Sequence, residues 1–323
     1  MKNKYQATIF FLLCLSGTIT AWGQTANYPN RPIKIIVPYA AGGGADSAAR
    51  AISQKLGQIL GQPIIVENKP GASTQTGTLS VVKAPADGYT LLMGTANLAT
   101  NAAVFEKLPY DTQKDLIPVS LITKVPVYIF VPSNSNIKNV ADLIAKSKLT
   151  PEGLSYATPG NGSSAHLAGE LFKNDSKSNI QHIPYKGSSE ATTALIGGQV
   201  QLSFDNYGPV LAHVKAGTAT PIAIAMTARS SMTPNVPTLK ELGYPMEAYA
   251  WWGILAPAGT PSAIIEQLNS AIQATLKVPE VRESLQKQGV EIIGSTPTEF
   301  ADHIKAETIK WSQVAKQANI KAQ

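Results

Sequence analysis

From Ile33 onward the chain alternates short β-type runs with helical patterns, and two of these units share one design. In each, a strand feeds a glycine loop and the loop opens a helix. Ile33-Lys34-Ile35-Ile36-Val37 reads as the first strand, Ala40-Ala41-Gly42-Gly43-Gly44 as its loop, and a helix opens near Asp46. The second unit is a strand over 154–157, the loop Pro159-Gly160-Asn161-Gly162, and a helix over 163–173. Such alternation predicts α/β layers around mostly parallel strands. Strands over 63–66 and 89–93, with a helix over 78–83, complete the first group. Strands over 180–185, 200–204 and 221–225, with helices over 188–196 and 209–216, extend the second. Between the groups, residues 125–131 form a long β-type run interrupted by Pro126, which reads as a strand crossing between two domains. The next helix, 140–148, has Asn139 as its candidate cap.

The last third is helical. Thr260-Pro261 reads as an N-cap followed by proline at the first helical position. Ile264, Ile265, Leu268, Ile272 and Leu276 then make one apolar face at helical spacing. Thr296-Pro297-Thr298-Glu299 is a capping box, and the helix it opens places Phe300, Ile304, Trp311 and Ala315 on one side, with His303 beside them and expected to be solvated. With 323 residues, 44% of them apolar, the chain has length and core for two domains.

The N-terminus reads as a segment apart. Lys2 and Lys4 precede the apolar run Ile9-Phe10-Phe11-Leu12-Leu13-Cys14-Leu15, which gives way to Ala21-Trp22-Gly23. That is the layout of a secretory signal peptide, with an apolar core too short for a membrane span. Cys14 raises a lipoprotein alternative, but Leu13 stands where a small residue is usual. Cleavage after Gly23 would remove the only cysteine and leave a soluble protein working outside the cytoplasm, in the periplasm.

Composition narrows the partners. The formal charge is +6, from 27 basic and 21 acidic residues, and charged residues make up only 15%. The positive balance comes from scarce acids; four arginines and no long basic run argue against nucleic-acid binding. A single cysteine excludes an internal disulfide and a cysteine zinc site.

The two glycine loops are the first candidates for chemistry. A strand that runs through glycines into a helix leaves backbone N–H groups at the positive end of the helix dipole, a setting that binds carboxylate or phosphate. The sequence lacks a dinucleotide fingerprint, because the third glycine would fall at Ser47, and no Gly-Lys-Ser/Thr follows to make a P-loop. A plain tight turn capped by Asp46 explains the same residues. The second loop, Thr158-Pro159-Gly160-Asn161-Gly162-Ser163-Ser164, offers hydroxyls, an amide and backbone donors; a serine-capped helix in a flexible loop is the alternative. Ligands of open α/β sheets bind beyond the carboxyl ends of strands, so two such loops facing each other could grip one small anion through neutral donors. Catalytic signatures are thin. His166, His182, His213 and His303 show no metal-ligand spacing, and no G-x-S-x-G elbow appears. His166 could touch a ligand or sit behind the loop. Asp205-Asn206 could bind an ammonium or hydroxyl, or serve as a turn. Lys186-Gly187 could face an anion or be solvated. Trp251-Trp252 could line a cleft or pack a hinge.

The chain resembles the substrate-binding proteins of tripartite tricarboxylate transporters, also called Bug proteins. The likeness rests on Tyr28-Pro29-x-Arg31-Pro32-Ile33, on Ile36-Val37-Pro38-Tyr39-Ala40-Ala41-Gly42-Gly43-Gly44-x-Asp46 with Arg50, and on Val66-Glu67-Asn68-Lys69-Pro70-Gly71-Ala72. Asp87-Gly88-Tyr89-Thr90-Leu91-Leu92, Gly162-Ser163-x-x-His166-Leu167-Ala168, Tyr185-Lys186-Gly187 and Ala256-Pro257-Ala258-Gly259-Thr260-Pro261 continue it in order. The resemblance implies an α/β fold of two lobes, the Venus-flytrap or type II-like periplasmic-binding-protein fold, with a ligand cleft between them. Lobe 1 would comprise 24–125 plus 250–323 and lobe 2 126–249. It implies a small carboxylate ligand (a di- or tricarboxylate, an acidic amino acid or an aromatic acid), membrane transporter subunits as partners, a monomer, no cofactor and no metal. Ligand-binding residues carried over by position are Tyr39, Ala41, Gly42, Gly43, Gly44 and Asp46 from one lobe. Thr158, Gly160, Ser163, Ser164, His166, Gly187 and Asp205 come from the other. Two departures stand out: Ala45 replaces the hydroxyl residue that often follows the glycine loop, and Gly71-Ala72-Ser73-Thr74 replaces Gly-Ala-Gly-Gly.

The expectation is a non-catalytic capture protein. Two other readings remain at this level: an enzyme using His166 and Asp205 as acid and base, and a ligand sensor of the same fold.

Overall fold

A computed structural model describes residues 28–317. The expected signal segment, with Lys2, Lys4 and Cys14, lies outside the described residues.

The elements run β1 (Ile33–Val37), α1 (Gly44–Leu60), β2 (Ile64–Asn68), α2 (Gln75–Val82), β3 (Thr90–Thr95), α3 (Asn97–Val104), α4 (Thr112–Asp115) and β4 (Leu116–Pro132). There follow α5 (Val140–Ser147), β5 (Leu154–Thr158), α6 (Ser164–Ser176), β6 (Ile180–Pro184), α7 (Ser188–Ile196), β7 (Leu202–Asn206), α8 (Tyr207–Lys215) and β8 (Ala219–Ile224). The chain closes with β9 (Tyr249–Pro257), α9 (Ser262–Leu276), α10 (Pro279–Gln286), β10 (Glu291–Ile292) and α11 (Pro297–Gln317).

The strands pair in the order β2-β1-β3-β9-β4-β7-β5-β6, with β8 and β10 also on β4. The expected parallel sheet is only half right. Pairing is parallel within β2-β1-β3 and within β7-β5-β6, but β3-β9, β9-β4 and β4-β7 are antiparallel. The crossing strand predicted over 125–131 is longer than expected and is the spine of the molecule. Its first part, Leu116 to Pro126, pairs with β9; its last part pairs with β7 and β8. Pro126 lacks a donor for a ladder bond and sits where one set of partners gives way to the other. The Asn206 side-chain amide covers this point, donating to the carbonyls of Val125 and Pro126 at 3.1 and 3.0 Å.

Registers along β4 fix how the two halves meet. Thr95, the last residue of β3, pairs with Trp252, which pairs with Thr123; Asn206, the last residue of β7, pairs with Val127. Because β3 runs with β4 and β7 against it, the carboxyl ends of both parallel groups point at the middle of one strand. They approach it from opposite directions and end four residues apart, roughly 13 Å at about 3.3 Å per residue.

One apolar cluster packs α1 and α9 on the first half through Ile33, Ile35, Ile52, Leu56, Leu268 and Ile272. Another fills the second half with Ile129, Tyr156, Phe172, Leu202 and Phe204. Between them Trp251 and Phe300 join Tyr128, Phe130 and Tyr207. Helix α11 opens with the capping box read from sequence: Glu299 N–H donates to Thr296 Oγ1 and Thr296 N–H to Glu299 Oε2. Its Phe300 sits in the middle cluster, whereas Trp311 and Val314 are buried in the second half's cluster, so this helix packs across the seam. Two expectations need correction. Thr260 is not the cap of α9, whose N-cap is Pro261; the Thr260 hydroxyl donates to Pro257 O at 2.8 Å. His303 is not solvated: it stacks on Tyr249 and Phe300, with Nε2 buried. A helix carries residues at i+3 to the same side, which brings His303 beside the Phe300 stripe.

Trp311 is fully buried and donates from Nε1 to Glu307 at 2.7 Å. Trp311→Ala removes the ring that anchors α11 in the second half's core and should cost about 3–5 kcal/mol in urea unfolding. A loss below about 1 kcal/mol would mean that α11 contributes little to holding the halves together.

Candidate ligand-binding site

The loop after β1 carries Tyr39 and Ala41 to Gly44, all exposed. Gly42 has φ +86° and forms the turn that lifts the chain into α1, a conformation that disfavours other residues. Gly44 begins the helix so close to Trp252 that a Cβ there would lie 2.7 Å from the indole. Trp252 thus walls the loop, while its neighbour Trp251 is fully buried. Asp46, expected as a ligand residue, is 3% exposed and has its oxygens engaged. Gly42 N–H and Asn68 Nδ2 donate to it at 2.9 and 3.0 Å, and the Arg50 guanidinium pairs with it at 3.0 Å. The bond from Arg50, helped by those from Gly42 and Asn68, lowers its pKa to about 2. Asp46 therefore holds the loop's shape, and Arg50 balances its charge. The first N–H groups of α1 have no carbonyl one turn earlier to bond, and no side chain caps them. They are the donors this loop presents.

The Tyr39 hydroxyl donates to Asn97 Oδ1 at 2.6 Å, tying this loop to the start of α3. Asn97 was not singled out from sequence. Nor was the conformation after β2, where Ala72, Ser73 and Thr74 all have positive φ, at 45°, 49° and 76°. Asn101 Nδ2 braces this turn through Ser73 O at 2.7 Å.

In the second half the loop after β5 is organised from within. Ser163 caps α6, accepting from His166 N–H at 3.1 Å and donating to Gly160 O at 2.8 Å. The Thr158 hydroxyl accepts from Gly160 N–H at 3.2 Å. His166 is 6% exposed, and its Nδ1 accepts from Gly162 N–H at 3.1 Å. Ser164 is the first residue of α6. Gly187 ends the loop after β6; its φ of 164° is extended backbone, and open space surrounds the position of a Cβ.

Asp205, at the end of β7, is 1% exposed. Its Oδ1 accepts from Ser188 Oγ at 2.9 Å and from Asn206 N–H at 2.7 Å, while Oδ2 is buried with no partner. Burial raises its pKa to about 7 despite those bonds. Every sequence-derived site residue thus lies at the carboxyl end of β1, β5, β6 or β7: Thr158 and Asp205 on the strand itself, the others in the loop or in the first turn of the helix that follows. Among the described residues no cluster of three metal-ligating side chains occurs.

A family model described as "Tripartite tricarboxylate transporter family receptor" matches residues 48–320. The chain belongs to that family. It is 37% identical over 318 residues to Protein BugT of Bordetella pertussis, covering 98% of this chain and 97% of the relative. Among solved structures it is similar to R. palustris Rpa4515 with adipate (35% identity, 91% and 99% of the two chains, TM-score 0.81). It is also similar to MatC (Rpa3494) from Rhodopseudomonas palustris with bound malate (31%, 89% and 99%, TM-score 0.76). The chain is a solute-binding receptor with the two-lobed fold of periplasmic binding proteins, not an enzyme, and its family serves tripartite tricarboxylate transporters. Receptors of the family work in the periplasm.

Asp205→Asn tests the state of the buried carboxyl. Between the ordinary pKa of 3.8 and the raised value of about 7, the folded receptor holds a proton that the unfolded chain has lost. Wild-type stability therefore falls as pH rises through that window. Asparagine is neutral throughout, so the variant should gain on the wild type between pH 5 and pH 8, by on the order of 1 kcal/mol or more. Parallel urea curves with a constant difference at both pH values would show that Asp205 does not titrate there.

Proposed function

We propose that this receptor captures a small dicarboxylate between its two lobes and presents the closed form to the membrane subunits of a tripartite transporter. The observation that carries the reading is that the two parallel groups, each bearing one donor-rich loop, direct the carboxyl ends of their strands toward the middle of β4 from opposite directions, the ends of β3 and β7 falling roughly 13 Å apart along it. One carboxylate would take the backbone N–H groups at the start of α1, with Tyr39 and Trp252 as walls. The 158–164 loop, Gly187 and the Asp205 region would receive the rest of the ligand. Neutral donors suit a desolvated carboxylate, and the adipate- and malate-bound relatives support a ligand of four to six carbons.

The moving units in this reading are residues 24–125 with 250–323, and 126–249, hinged near Pro126, with α11 packed across the seam. Contacts made only in the closed form shift the population toward it. The working species is a periplasmic monomer released by cleavage after Gly23.

A thermal-shift series against mono-, di-, tri- and aromatic carboxylates tests capture. A dicarboxylate should raise the melting temperature in proportion to the logarithm of its concentration; silence from the whole panel would sink the reading. Gly43→Asp tests the first loop. Gly43 is the N-cap of α1 with extended backbone (φ −77°, ψ 172°), and the nearest atom to an added Cβ is Ala40 O at 3.7 Å. Aspartate fits there and is a favourable cap, so the variant stays folded. Its carboxylate occupies the anion position, and affinity should fall by about a hundredfold or more. Unchanged affinity would remove this loop from the site.

A further inference from the structure

The second loop is held by two histidines that the sequence left scattered. His166, in the first turn of α6, and His182, on β6, stack face to face with ring centroids 3.8 Å apart and planes 13° from parallel. Each ring holds a different point of the loop. His166 Nδ1 accepts from Gly162 N–H at 3.1 Å, and His182 Nε2 shares a 2.6 Å hydrogen bond with Thr158 Oγ1, the atom that accepts from Gly160 N–H. A backbone N–H can only donate, so the Gly162 bond requires an unprotonated Nδ1. A protonated His166 would set two donors against each other at Gly162.

We propose that the His166–His182 stack is a proton-sensitive clamp. Neutral, it holds the 158–163 loop in its ligand-accepting shape; when His166 gains a proton the loop loses its hold on Gly162 and the ligand is released.

The surroundings favour the neutral form near pH 7. From α6, Glu170 and Lys173 act electrostatically on the pair. From β5 come Tyr156, whose ring lies 5.0 Å from His182 and whose hydroxyl donates to Glu170 at 2.7 Å, and Thr158. The apolar Phe204 on β7 packs against Tyr156 in turn. Burial lowers the His166 pKa, opposed by Glu170; burial, then His166 and Lys173, lower that of His182 to about 3. His166 is thus the ring that charges first as pH falls, and a second charge on the stack is opposed by the first. His166 and His182 are positioning residues, acting through Gly162, Thr158 and Gly160. The consequence for affinity rests on the capture reading above; the consequence for the loop does not.

The test has two arms. In the ligand-free receptor, ring-nitrogen NMR at pH 7.5 should show His166 with the proton on Nε2. The Gly162 amide should lose its hydrogen-exchange protection as His166 titrates. Two variants separate the nitrogens: His166→Asn sets an untitratable acceptor near the place of Nδ1, whereas His166→Gln sets one near Nε2. Gly162 protection should be pH-independent in the first and absent at every pH in the second. In the second arm, adipate and malate affinities are measured at pH 7.0 and 4.5. The wild type should lose about tenfold more than His166→Asn, which shares the ligand's own titration but not the ring's. A proton on Nδ1 at pH 7.5, or Gly162 protection that persists while His166 titrates, would overturn the clamp. So would equal pH slopes in the two proteins. Failure of both acids to bind at pH 7.0 would count against the capture reading instead, with the clamp decided by the ligand-free arm.

Discussion

The whole architecture depends on β4 and on the reversal of direction that antiparallel pairing imposes across it. Strand β3 runs with β4 through its shared partner β9, and β7 runs against β4. In a parallel α/β unit the loops that carry ligands lie at carboxyl ends. Two such units joined in one orientation would place those ends on the same edge, facing solvent together. Joined through an antiparallel spine they face each other, and the space between them is a cleft. Pro126 and the Asn206 amide stand at the exchange point, between the register positions at which β3 and β7 end.

The charged residues nearest the loops act on the protein itself. Asp46 spends its carboxylate on Gly42, Asn68 and Arg50, and Asp205 spends one oxygen on Ser188 and Asn206. In the proposed capture reading an anion would meet chiefly a set of neutral donors at helix starts. Such a set costs little reorganisation. In that reading the net charge of the chain, +6, has a minor part in recognition.

Much of the local structure was legible because its causes are local. Ile33–Val37 is a strand at the residues read from sequence, Asn139 caps α5 through Asp142 N–H, and the Thr296–Glu299 box opens α11. The Gly42–Gly44 and 158–164 loops were found because glycine and hydroxyl residues between a strand and a helix have few uses. Illegible were the partners that arrive from elsewhere in the chain. His182 has no neighbour in sequence that marks it, and gains its role from lying beside Tyr156 and under His166. His303 looked solvated because its burial comes from Tyr249 and Trp251 on β9.

Sequence alone determined the two strand–glycine-loop–helix units, the apolar faces of α9 and α11, and the resemblance to a transporter receptor. These follow from period, turn chemistry and motif, which are properties of neighbouring residues. Tertiary structure alone decided that β4 and β9 run antiparallel, that Asp46 holds its own loop, and that two histidines brace the other. The first is a pairing of strands more than a hundred residues apart, and the other two add a partner from another strand, Asn68 for Asp46 and His182 for His166, to bonds made within one turn. Sequence periodicity encodes which face of an element is buried; it does not encode what will lie against that face.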